Sequence, residues 1–354
     1  MTKNSIPEKF IITQKGSRRA GNWCPHNKSF PAAVSALKAV MGLEQRVYEE
    51  NGWVNDNDYF FQMGVSAEGF CMCCGMENFL KAGLFDNEAL ADCLHSEGFA
   101  FRLIADAAIG IKDEEADCDT LKQKVIGHLL SDRPAILIYE KYTVLAVGFG
   151  EFGETVITPF FGMGKSFAKN HNKPKPRKNW TNKLHAAVFI DGITLPAGRR
   201  EIVLRALRRG YEMLTETKAF GAEYGYGEAM WKKWIDRFED DSKFTLLSHA
   251  FRYIDPEKFD LAERRAYTRG FFAQAESYLE KDCLQNARRA FDDIHNKMWD
   301  IHWMVKGENK GSLLLRGTRE RVMQILKDCR ELDREAAKNI KDVLSRFENT
   351  EEKI

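Results

Sequence analysis

The pattern of apolar positions changes character near residue 195, from mixed strand and helix signals to helix signals alone. Behind Ser29, Ala32, Ala33, Ala36, Leu37 and Val40 recur at helical spacing and Gly42 follows, predicting a helix over Ser29–Met41. Pro31 falls in its first turn, where a missing N–H costs little. Arg46–Asn51 reads as a short turn, and Tyr59–Met63 and Gly69–Cys74 read as short strands or buried turns around Gly64 and Gly69. A helix over Asp86–Glu97, a strand over Ala100–Ala105 and an amphipathic helix over Cys118–Leu130 come next.

The β signal is clearest beyond Arg133-Pro134. Ala135–Tyr139, Thr143–Val147 and Thr155–Thr158 are three β-rich runs joined by short charged or glycine-rich turns, and they predict a meander. His185–Ile190 reads as the last strand of this half. Lys165–Lys183, with seven basic residues and no acidic one, is proline-rich and predicts a long surface loop. From Pro196 onward, Arg199–Lys218, Glu228–Asp240, Asp260–Leu279, Leu284–Val305 and Thr318–Phe347 favour helix. The expected organisation is therefore α+β, with an α/β domain over 1–195 and an all-helical domain over 196–354.

Composition narrows the classes. A chain of 354 residues with 44% hydrophobic and 30% charged residues has globular composition and length for two domains. With 53 Lys+Arg against 52 Asp+Glu, the chain lacks the net field that draws nucleic acid or anionic membrane. Met1–Gly21 has only Phe10-Ile11-Ile12 as an apolar stretch, too short for a secretory signal, and no run approaches a membrane span. A reduced, cytoplasmic setting is expected for the eight cysteines.

The order of elements is itself informative: a helix ending at Gly42, a charged helix leading into Asp132-Arg133-Pro134, a strand ending at Val147-Gly148, and a strand ending at Thr158-Pro159. In this it resembles the papain-like fold of the bacteriocin-leader-processing cysteine peptidases and of the N-terminal domain of the butirosin-biosynthesis acyltransferase. The resemblance covers about the first 195 residues. It implies a nucleophile at the start of the first helix, a histidine base opening the strand that ends in Gly, and an Asp or Asn ending the next strand. Carried over by spacing, those positions fall on Ser29, Tyr142 and Thr158, so all three residue types are changed. Ser29 without an imidazole has no evident base.

A displaced site is the second expectation. Cys24 and His26 precede the first helix in Asn22-Trp23-Cys24-Pro25-His26-Asn27, where a helix dipole favours a thiolate and the Asn27 amide can donate to a carbonyl. His26 or His185 could serve as base; the alternative is a buried cysteine and a loop histidine. The basic stretch, with Lys175, Arg177, Lys178 and Trp180, reads either as a solvated loop or as a lid for an anionic ligand or an acyl-carrier protein, with Phe167 and Trp180 stacking. Cys71, Cys73 and Cys74 lack structural-zinc spacing, so no metal or cofactor is expected. Gly148, Gly150 and Gly153 precede a strand rather than a helix, and Gly162–Ser166 lacks the first glycine of a phosphate loop. Trp231, Trp234, Trp299 and Trp303 are expected in helix–helix packing, or lining a ligand cleft between the domains. Two functions follow. One is a papain-like protein that has lost the triad and binds a small molecule or peptide. The other is an amide- or acyl-chemistry enzyme using Cys24 or Ser29.

Overall fold

The computed structural model describes residues 29–41, 43, 46–48, 54–71, 87–106, 112–139, 142–150, 153–158, 175–217, 219–220, 224–225, 227–246 and 255–351. They form two compact units. The first takes the described residues up to Gln62 and from 87 to Gly198; the second takes 63–71 and everything from Arg199.

In the first unit, helix α1 (Ser29–Val40) is buried along Phe30–Lys38, as its all-round apolar sequence demands. The Lys38 ammonium, also buried, is neutralised by Asp58 and by Glu97 at 2.7 Å, and Gln62 Nε2 donates to Glu97 at 2.8 Å. Strands β1 (Arg46–Tyr48) and β2 (Val54–Asp56) pair antiparallel, where only a turn was expected. Helix α2 (Asn57–Val65) replaces the strand or turn expected at Tyr59–Met63. A helix that buries polar residues along with its apolar ones has no readable period: Asp58, Tyr59, Phe61, Gln62 and Met63 are all buried.

Helix α3 (Asn87–His95) leads into β3 (Phe99–Ala105), β4 (Glu114–Glu115) and helix α4 (Cys118–Leu130). The Asp117 carboxylate caps α4 by accepting from Thr120 N at 2.7 Å, and Leu121, Val125 and Leu129 set its apolar stripe. Strands β5 (Ala135–Tyr139), β6 (Thr143–Ala146), β7 (Gly148–Gly150), β8 (Thr155–Thr158), β9 (Lys175–Lys178) and β10 (Leu184–Ile193) complete the unit.

The expected meander is split between two sheets. One has the order β4-β3-β10-β5-β6, antiparallel except for the β3–β4 pair; the other has the order β7-β8-β9. The longest strand, β10, lies at the centre of the first sheet. The α4 stripe packs on Ile104, Leu137, Ala187 and Phe189 of that sheet. The glycines at 148 and 150 lie in a strand of the expected hairpin rather than in its turn.

The basic stretch is corrected in its C-terminal part. Lys175–Lys178 pairs with β8 despite Pro176, and β9 takes an outer position in its sheet, where a missing ladder N–H is tolerated. The preceding 165–174 lies outside the described residues, as does Phe167.

In the second unit the helices are α5 (Arg199–Thr215), α6 (Gly227–Glu239), α7 (Asp255–Ala275), α8 (Gln285–Val305) and α9 (Arg316–Glu351). A two-residue antiparallel pair, β11 (Ala219–Phe220) with β12 (Tyr224–Gly225), falls between the first two expected helices of a unit expected to be all-helical. Segment 63–71 is built into this unit. Phe70 meets the rings of Phe271, Phe272 and Phe291 edge-on, with centroids 5.7–6.3 Å away. A side chain on Gly69 would collide with Thr268, so glycine is needed for this approach.

Two fully buried arginines hold the segment. Arg264 bonds Asp260 and the Glu68 carbonyl. Arg265 grips both oxygens of Asp333, at 3.0 and 2.8 Å, and donates to the carbonyls of Gly69 and Cys71. Trp231 Nε1 donates to the same Asp333 at 2.9 Å, and Trp231 and Trp234 are core residues. Trp303 is not: it is 59% exposed, with the Lys306 ammonium 4.4 Å from its ring centre.

Candidate functional site

The site expected from the papain-like resemblance is described only in part. Cys24, His26 and Asn27 lie outside the described residues. Ser29 begins α1, which packs beside β6. Tyr142 immediately precedes β6, and its carbonyl accepts from Tyr139 N at 2.9 Å, which closes the β5–β6 connection. The rings of Tyr139 and Tyr142 stack with centroids 4.7 Å apart and planes 30° apart. Above them lies the Arg177 guanidinium, 4.8 Å from the Tyr142 ring centre and 5.7 Å from that of Tyr139.

Arg177 belongs to β9, with its Cα opposite Val156, so a sheet holds it in register and it is not part of a free loop. Thr158 is buried and pairs through its Cα with Lys175 at the other end of β9. β6 and β8 also lie against each other. The structure therefore gathers Tyr142, Thr158, Lys175 and Arg177 on neighbouring strands. Tyr139 is locked beneath: its hydroxyl donates to the Trp180 carbonyl at 2.7 Å, and burial raises its pKa well above the ordinary phenol range, with Arg177 opposing. What remains open to solvent is the Tyr142 ring, 37% exposed, beneath a guanidinium. That pair suits a planar or anionic group.

Trp180 does not belong to a ligand surface. It is 1% exposed, packed among the α4 and sheet residues, with its indole N–H donating to Gly153 O at 2.8 Å. In the sequence it was one aromatic residue among lysines and asparagines, and that pattern fits a core anchor as well as a stacking platform.

His185 sits at the opening of β10, and its Nδ1 is 2.7 Å from Asp106 Oδ2. The two residues face each other across the β3–β10 pair, where Asp106 N donates to His185 O at 2.8 Å. Both side chains are half-buried. Such a carboxylate fixes the ring and its tautomer, leaving Nε2 for chemistry. Asp106 carried no signal in the sequence, because 79 residues separate it from His185 and only the sheet joins them.

Among the described residues no three His, Cys, Asp or Glu side chains are grouped to hold a metal ion, and no helix is long and apolar enough to cross a membrane. Cys73 and Cys74 lie outside those residues. Comparison with protein-family models and with curated proteins found no match.

Proposed function

We propose that the first unit is a papain-like scaffold that has exchanged peptidase chemistry for ligand binding, and that its ligand is a small anionic molecule or a peptide carboxylate. The observation that carries this reading is Arg177 lying 4.8 Å over Tyr142, at the position where the resemblance calls for a histidine base. A phenol lacks the second ring nitrogen by which an orienting carboxylate holds an imidazole base, whereas the Arg177–Tyr142 pair gives a planar anion both a charge and a stacking face. The neighbouring strands β6 and β8, with α1 beside β6, fit the papain-like arrangement.

Calorimetric titration with N-acetyl-tyrosine, which combines a carboxylate and a ring, tests the proposal. We expect weak binding that is lost in Arg177→Gln and reduced in Tyr142→Ala, with no hydrolysis of fluorogenic peptide amides. Peptide hydrolysis abolished by Ser29→Ala would overturn it, as would binding indifferent to Arg177.

The His185–Asp106 pair supports a second reading, amide or acyl chemistry with His185 as the displaced base and Cys24 or Ser29 as the nucleophile. Its mark would be covalent labelling by an acyl donor that depends on His185.

A further inference from the structure

A thiol that neither reading has used lies at the end of the sheet where β10 opens. Cys118 is the first residue of α4, and it is exposed, whereas Cys71, Cys93, Cys283 and Cys329 are buried. Its sulfur donates to Thr181 O at 3.5 Å, and the same carbonyl accepts from Leu184 N at 3.1 Å, one residue before His185. From the other side, Ala105 pairs with Glu115 and accepts from Ala116 N at 3.0 Å, which sets Cys118 three residues beyond the strand partner of the residue preceding Asp106. Helix α4 runs alongside β10, with His128 near its end touching the Phe189 ring at 5.1 Å, so the helix start lies at the His185 end. Cys118 and the His185–Asp106 pair thus lie toward the same end of the β4-β3-β10 strands.

We infer that Cys118 is the nucleophile served by the His185–Asp106 pair, in acyl transfer from an activated ester or thioester. The inference rests on the second reading above and replaces the nucleophile it names. In the first step the thiol leaves the Thr181 carbonyl and gives its proton to His185 Nε2. Sulfur bonds to the acyl carbon as the bond from carbon to the leaving group breaks, and the imidazolium protonates the leaving group. Water then adds to the thioester, His185 takes its proton, the carbon–sulfur bond breaks, and the thiolate recovers that proton. Charged groups near the start of this helix include Asp117 at its cap, Asp119, Lys122 and Lys124 along it, Lys112, Glu114 and Glu115 before it, Lys183 in the 181–183 turn, and Arg177 on β9. Asp117 is occupied by capping Thr120.

The full chain is treated with p-nitrophenyl acetate at neutral pH, and the acetylated residue is mapped by mass spectrometry. We expect a burst of nitrophenolate with acetyl on Cys118, no burst in Cys118→Ser, and a slowing of about a hundredfold in His185→Gln. Asp106→Asn should slow the burst less, and unchanged thermal unfolding of His185→Gln and His185→Asn separates a chemical from a structural effect. Acetylation of Cys24 or Ser29 that depends on His185, with Cys118 unlabelled, overturns the inference and leaves the acyl reading standing. No His185-dependent acetylation at any residue overturns both.

Discussion

Replacing Asp333 by alanine isolates the contribution of a buried charge. Asp333 is 1% exposed, and it holds the fully buried Arg265 through both oxygens while accepting from the Trp231 indole. Without it, Arg265 keeps the carbonyls of Gly69 and Cys71 and the face of Phe291, 4.7 Å from its guanidinium carbon, but has no counter-ion. Stranding one member of a buried pair costs about 3–5 kcal/mol, a large part of the roughly 5–15 kcal/mol that holds a domain folded. Arg265→Met with Asp333→Leu removes the stranded charge, so the double variant should lie closer to the parent than Asp333→Ala alone. It will not equal the parent, because the Gly69 and Cys71 carbonyls and the Trp231 N–H each lose a partner. Two compact units make a single unfolding midpoint ambiguous. Segment-resolved hydrogen exchange over 260–272 and 325–340 in a urea series is therefore the assay. A loss below about 1 kcal/mol in Asp333→Ala would falsify the reasoning, and so would a double variant whose cost equals the sum of the singles.

Two further outcomes are expected from the first unit. Trp180→Ala should cost about 3–5 kcal/mol in chemical denaturation by opening a cavity beneath β5 and α4, and Trp180→Phe should cost less while still stranding the Gly153 carbonyl. Burial, assisted by the nearby Arg133, lowers the pKa of His128, so the folded state holds that proton less tightly than the unfolded chain. This contribution is complete above the unfolded value of about 6.5 and is lost as pH falls below it through the folded value. Thermal unfolding of His128→Phe between pH 7 and 5 should therefore fall less steeply than that of the parent, and equal slopes would refute the assignment.

Sequence pattern served best where an element has one wet face and one dry face. The α4 stripe of Leu121, Val125 and Leu129 between exposed polar residues made Cys118–Leu130 readable to the residue, and the long amphipathic α9 was legible over Thr318–Phe347 of its full Arg316–Glu351. It failed where that contrast disappears. Over 58–65 helix α2 is buried except at Phe60 and reads like a strand, while β9 carries a proline that only an outer position tolerates. The candidate site was legible one residue at a time and not as a constellation. Tyr142, Arg177 and His185 were named from spacing and charge, but Arg177 meets Tyr142 only through the β8–β9 pairing. Asp106 meets His185 only because β10 inserts beside β3, and no local pattern announces a pairing made by strand order.

The arginine clamp on 68–71 also bears on the order of events during synthesis. Gly69 precedes Arg265 by 196 residues, so at roughly 5–20 residues per second its carbonyl leaves the ribosome about 10–40 s before the guanidinium that will bind it. The strands of the first sheet, closed by β10, have all emerged in that interval. Phe70, destined for a cage of three other phenylalanines, must wait for the sequence that forms it. Until then it is an apolar tether of the kind that nascent-chain chaperones bind, and a ribosome stalled before residue 265 should hold it exposed to them.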